Sequence, residues 1–236
     1  MQIDVLPTQQ DVNQLACSMI LGELDRKPNL LFCAATGSSP AGAYRAMGEA
    51  AKANPTIFSR MRLLKLDEWG GLPMDHPGTC EHYLREYLVK PLSIDEARYF
   101  GFQSAPSSPE AECERMRAQL NELGPIDVCV LGLGLNGHLG MNEPAATLSP
   151  NCHVAELTPT AMGHSMLAGG KPHYGLTLGM ADILQSRLIL LLNLGASKRE
   201  PMRRFLTQRI DTDFPGSLLW THPNTIILCD RDAHPE

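Results

Sequence analysis

Residues Leu131 to Pro144 read LGLGLNGHLGMNEP, and the segment admits two different turns. Gly132, Gly134 and Gly137 satisfy G-x-G-x-x-G, the spacing of a dinucleotide-binding turn. Glu156 stands near the distance, about 20 residues on, where such a turn expects its ribose-binding acid. A dinucleotide turn must also open a helix at its third glycine. Here Asn142-Glu143-Pro144 stops any helix within two turns, because proline has no N–H and disfavours a helical residue before it. The glycines are better read as letting the backbone turn sharply and present His138 and Glu143 together. An imidazole with a carboxylate beside it is a serviceable acid–base pair. The plainer alternative is a histidine and a glutamate with structural duties in a loop.

This turn follows the apolar run IDVCVLGLG, and the rest of the chain has the same rhythm. QIDVL, NLLFCAA, MRLLKL, CHVAEL, YGLTL, RLILLLNL and TIILCD read as further strands. Helical patterns run through QQDVNQLACSMILGELDR, AGAYRAMGEAAKAN, Glu110 to Glu122 and Arg199 to Gln208. Continuous Val/Ile/Leu runs separated by helices predict an open, mostly parallel, Rossmann-like α/β sheet with helices on both faces. No repeat or linker divides residues 1–236, so one domain is expected.

Composition narrows the function. The chain is 43% hydrophobic and 19% charged, enough to bury a substantial core, and its net charge of −6 argues against a nucleic-acid or anionic-membrane surface. An anionic substrate would need a local cluster of donors. Seven scattered cysteines, odd in number and without C-x-x-C, suit buried reduced thiols rather than disulfides or a zinc site. With no signal-like N-terminus and no membrane-length apolar run, a cytoplasmic protein is expected.

Ligands of open α/β sheets gather beyond the carboxyl ends of the strands, and three more segments lie there. In TGSSP, Gly37 permits a tight turn, Ser39 is a good N-cap and Pro40 fits the first helical position. Such a helix start attracts anions through its free N–H groups, although an ordinary capped turn looks the same. In LKLDEWGGLP, Asp67 and Glu68 end a strand and must face different ways, so one carboxylate points into the crevice. It could shuttle a proton next to a carbonyl, or the two could be a solvated pair. In NLGASKREPMRRFL, Gly195 turns the chain and a helix should begin near Ser197. Lys198 and Arg199 then oppose the helix dipole unless an anion is bound, or else Lys198 is simply exposed and offset by Glu200. Two anion-binding helix starts and two acid–base groups at one end of a sheet make the anatomy of a sugar-phosphate site.

ATGSSPAGAYRAM, LKLDEWGGLP, IDVCVLGLGLNGHLGMNEP and YGLTLGMADIL together resemble the glucosamine/galactosamine-6-phosphate deaminase (isomerase) family, related in fold to 6-phosphogluconolactonase. The resemblance spans essentially the whole chain, and Gly134 to Pro144 is its most specific piece. It implies conversion of an aldose 2-amino-6-phosphate to a ketose 6-phosphate plus ammonia. By the same resemblance His138 assists ring opening, Glu143 orients and tunes it, and Asp67 moves a proton between C2 and C1. Gly37, Ser38, Ser39 and Lys198 would hold the phosphate. Neither metal nor organic cofactor is expected, and a homo-oligomer is a family-level expectation.

The chain departs from the family pattern in three places. Asn136 stands where most glucosamine-type members have aspartate. An asparagine can hydrogen-bond a histidine but cannot stabilise its charged form as a carboxylate does. Asn-Gly-His resembles the galactosamine-6-phosphate branch, which favours that substrate, with a damaged relay as the other explanation. LTPTAMGHSM supplies no arginine for the phosphate, only His164. Ala146, His153 and Ala155 replace the polar and basic residues of allosteric members, so no such regulation is expected. The competing readings are the glucosamine epimer, a 6-phosphogluconolactonase-type esterase, and a non-enzymatic sugar-phosphate sensor. The last would normally carry a DNA-binding helical module, and with a first strand expected from Gln2 and an acidic net charge none is expected here.

Overall fold

A computed structural model describes residues 1–158, 162–163, 165–167 and 169–235. Seven strands form one parallel sheet: β1 (Gln2–Leu6), β2 (Leu31–Ala34), β3 (Arg62–Lys65), β5 (Tyr99–Phe100), β6 (Val128–Gly132), β9 (Leu188–Asn193) and β10 (Thr225–Asp230). Their order is β1-β10-β9-β6-β2-β3-β5. The principal helices are α1 (Gln9–Arg26), α2 (Ser38–Ala53), α3 (Cys80–Leu84), α4 (Pro109–Leu123), α5 (Met180–Leu184) and α6 (Arg199–Leu206).

The apolar runs are continuous because the sheet is covered on both faces. Along β6, Val128 and Val130 join the hydrophobic cluster on one face, and Cys129 and Leu131 join the cluster on the other. β2 alternates in the same way, with Phe32 and Ala34 on the first face and Leu31 and Cys33 on the second. Helix α1 begins where its sequence says it should. Thr8 Oγ1 accepts from the Asp11 N–H, and the Asp11 carboxylate accepts from the Thr8 N–H, a reciprocal cap. All seven cysteines are free thiols, six buried and Cys152 partly so. Among the described residues no helix is long and apolar enough to cross a membrane.

The strand order places the site. From β2 the chain steps outward to β3 and then β5. It returns to β6 on the other side of β2 and steps the opposite way to β9 and β10. The β2–β6 boundary is therefore the point where winding reverses, and the loops beyond it diverge to leave a crevice. Parallel register, with Ala34 beside both Lys65 and Val130, brings the ends of β2, β3 and β6 to one edge.

Two expectations need correction. CHVAEL and YGLTL do not join the main sheet; they form β7 (His153–Ala155) and β8 (Tyr174–Thr177) of a separate antiparallel sheet. Its third strand, β4 (Asp67–Gly70), comes from DEWG, so Asp67 and Glu68 begin a strand of their own instead of ending the one in MRLLKL. The pattern of a short strand says that it pairs but not with which sheet, because pairing is set by contacts remote in sequence. Ser39 is not the N-cap of α2. Gly37 occupies that position at φ +118°, a conformation that strains any side chain, and the helix starts at Ser38 with no side-chain cap.

Candidate active site

The loop after β6 answers the question posed by its glycines. No helix opens at Gly137. The chain turns tightly instead, with the Gly137 N–H donating to Gly134 O at 3.0 Å and the Gly134 N–H donating to His138 O at 3.0 Å. A Cβ on Gly134 would lie 2.4 Å from the His138 ring, so the bare backbone there is what makes room for the imidazole. Gly137 has φ +90°, and a Cβ on it would meet the Phe214 ring at 2.1 Å.

His138, Asn136 and Glu143 form one network. Asn136 Nδ2 donates to Glu143 Oε2 at 2.7 Å, and Asn136 Oδ1 accepts from the His138 backbone N–H at 3.2 Å. Both contacts orient the amide the same way, because an ionised carboxylate only accepts. Asn136 Oδ1 therefore faces His138 Nδ1, 2.7 Å away, as an acceptor. Nδ1 carries the proton, and the neutral ring has Nε2 free of a proton and able to take one. Glu143 Oε1 lies 3.3 Å from the same Nδ1. Its negative charge supports an imidazolium that Asn136 alone could not.

Asp67 and Glu68 part ways, as adjacent strand residues must, but neither is solvated. Glu68 is fully buried, ion-paired to Lys65 Nζ at 2.7 Å, and accepts from the backbone N–H groups of Trp69, Cys80 and Glu81 at 2.8–2.9 Å. It thus secures the start of α3, whose first turn has donors without helical partners. Asp67 faces a cleft, 7% exposed. Burial and then the Glu68 charge raise its carboxyl from 3.8 to about 7, while Cys80 and Lys65 hold it down. Near neutral pH it is poised to take or give a proton.

The cleft encloses about 870 Å³ including solvent at its mouth. Thr36 to Ser39 line it from the turn after β2, Asp67 from β4, Gly134, His138 and Glu143 from the loop after β6, and Lys198 from the turn after β9. Asn136 stands behind the imidazole it orients. Lys198 ends a short 3₁₀ turn, Ala196–Lys198, and Arg199 opens α6. The two cations diverge: Lys198 Nζ reaches over to Leu133 O at 2.6 Å, whereas Arg199 Nε donates to Asp232 O on the outer surface. Burial pushes the Lys198 ammonium below its ordinary value. His164 lies outside the described residues. Among the described residues no group of three or more His, Cys, Asp or Glu side chains could hold a metal ion.

Trp69, Cys80, Met141, Leu157 and Met166 also line the cleft, and none was singled out as a site residue from the sequence. Glu156, weighed only as a dinucleotide acid, joins them. Cys80 carries no signal in the sequence at all. It reaches Asp67 because α3 folds back under β4, a contact between residues 13 apart.

The model of the family described as glucosamine-6-phosphate isomerases/6-phosphogluconolactonase matches residues 8–227. The chain belongs to that family. A relative from Escherichia coli (strain K12), named "Putative deaminase AgaI", is 41% identical over 92% of this chain and 87% of its own length. The glucosamine-6-phosphate deaminase of Geobacillus sp. (strain WCH70) is 35% identical over 95% of this chain and 91% of its own. A solved structure of a monomeric glucosamine-6-phosphate deaminase superposes with a TM-score of 0.94 at 31% identity, covering 99% of this chain and 98% of that one. The open parallel α/β architecture is thus that of a deaminase of known structure.

Proposed function

We propose that the chain is an amino-sugar-phosphate deaminase/isomerase acting on galactosamine 6-phosphate. The observation that carries the reaction class is the meeting of Asp67, His138 and Glu143 in one cleft with the α2 start and Lys198. The substrate phosphate lies against the free N–H groups of Ser38 and Ser39 and the Lys198 ammonium, which places the sugar's first carbons between Asp67 and His138. His138 Nε2 takes the O1 proton and delivers it to the ring oxygen as the C1–O5 bond breaks, and Glu143 steadies the imidazolium in between. Asp67 removes the proton from C2 and returns it to C1. The resulting C=N bond at C2 takes up water and releases ammonia, leaving the ketose 6-phosphate. A carboxyl at about 7 suits a group that must both accept and donate within one turnover.

Asn136 supports the galactosamine epimer, through the resemblance of Asn-Gly-His to that branch. Its contacts form an intact relay, with its amide bonded to Glu143 and its carbonyl to His138, and so speak against a damaged one. The test is ammonia release from galactosamine 6-phosphate and glucosamine 6-phosphate in parallel, with hydrolysis of 6-phosphogluconolactone as a third arm. Release with a higher kcat/KM for the galacto epimer supports the proposal. Preference for the gluco epimer overturns the substrate assignment, and lactone hydrolysis without ammonia release overturns the reaction class.

A further inference from the structure

Cys80 opens α3 with its side chain 1% exposed, against the cleft. Its sulfur lies 3.7 Å from Asp67 Oδ1 and 3.4 Å from Thr36 Oγ1. Thr36 belongs to the turn that leads into α2, at the phosphate end of the cleft; Asp67 stands at the carbon end. The residue is held from behind as well. Its backbone N–H donates to Glu68 Oε1 at 2.8 Å, and Thr79 Oγ1 caps the same helix by accepting from the His82 N–H.

We infer that Cys80 is a positioning residue: its S–H donates to Asp67 Oδ1, the Thr36 hydroxyl donates to its sulfur, and this chain ties the phosphate-end turn to the acid–base carboxylate. The direction of each bond follows from chemistry. An ionised carboxylate only accepts, so the single thiol proton goes to Asp67 and the hydroxyl must supply the second bond. Burial, reinforced by the charges of Glu68 and Asp67, keeps the thiol protonated and available as a donor. With Oδ1 engaged, Oδ2 is the oxygen offered to the substrate's C2 proton.

The groups around Asp67 set the sign of the effect. Glu68 on the same strand raises its pKa, Lys65 from β3 lowers it, and Cys80 from α3 lowers it. His138, Glu143, Glu156 and Lys198 share the cleft from the other loops. Removing only the thiol donor therefore moves Asp67 upward. Because this inference rests on the deaminase reading, its test includes a readout that needs no turnover.

The carboxyl titration of Asp67 is followed by NMR in the free full-length protein for wild type, C80A and C80S, beside pH profiles of ammonia release. C80A should raise the Asp67 midpoint by about half a unit, as expected for a weak donor to a buried charge. It should move the acid limb of kcat/KM up equally and lower kcat by about three- to tenfold, with KM within about twofold. C80S, which keeps a donor, should restore midpoint and kcat to near wild type. An Asp67 midpoint unchanged in C80A overturns the inference whatever the activity. So does a C80S variant as impaired as C80A, since side-chain size would then be what matters. Absence of ammonia release from the wild type would count against the functional reading alone, because the NMR titration still decides the role of Cys80.

Discussion

Replacing Asp67 with asparagine should make the protein more stable while removing its activity, with a pH signature that identifies the cause. In the folded state the carboxyl is raised from its ordinary value of 3.8 to about 7, chiefly by burial. Below about pH 4 the side chain is neutral in both folded and unfolded chains and contributes nothing. Between about 4 and 7 the unfolded chain has released the proton and the folded chain still holds it. Stability then falls as pH rises, by about 1.4 kcal/mol per pH unit. Above about pH 7 both forms are ionised and the loss levels off. A rise of about three units corresponds to about 4 kcal/mol. An asparagine is neutral throughout and its Oδ1 can still accept from Cys80. The D67N variant should therefore gain little over wild type near pH 4, gain progressively toward pH 7, and hold a margin of several kcal/mol at pH 8 to 9. Urea unfolding of both proteins across this range measures the margin, and ammonia release should fall by about 10²- to 10⁴-fold at every pH. A stability gain that does not vary with pH, or a variant less stable than wild type at pH 8, would refute the claim that burial of an ionisable carboxylate at this position is what tunes the site.

Other outcomes follow from named contacts. E143Q removes the charge 3.3 Å from His138 Nδ1 and should lower kcat for deamination by about 10²-fold with little change in KM, checked by steady-state ammonia release. K198M removes the half-buried ammonium that lines the cleft and should raise KM for the sugar phosphate by about 10- to 100-fold, with inhibition by inorganic phosphate weakened in parallel. G137A forces a side chain into a φ of +90° and against the Phe214 ring. It should cost about 2 kcal/mol or more in unfolding free energy and displace His138, both visible as a lowered thermal midpoint and lost turnover.

Much of the framework was legible from local pattern. Helix α1 matches its expected span because Thr8 and Asp11 make a reciprocal cap and its buried positions follow a helical period. The parallel sheet was legible because β2, β6 and β9 are buried on both faces and are apolar at every position but Asn193, the last residue of β9. Proline after Asn142-Glu143 sufficed to reject the dinucleotide turn. Three things were not legible. DEWG pairs as β4 with β8, and the main sheet does not take up β7 and β8, because strand partners are chosen by distant contacts. Glu68 looked like a solvated partner of Asp67 and is instead locked beneath α3 by Lys65 and three backbone donors. Cys80 gave no sign of its place beside Asp67.

Sequence alone determined which chemical groups stand just beyond which strands, since periodicity, caps and glycine positions are properties of neighbours along the chain. Tertiary structure decided which carboxylate is buried and uncompensated enough to titrate near neutrality, which oxygen of Asn136 faces the imidazole, and which thiol touches the proton carrier. Those properties depend on desolvation and on charges brought within a few ångströms from remote segments, and no local pattern records them.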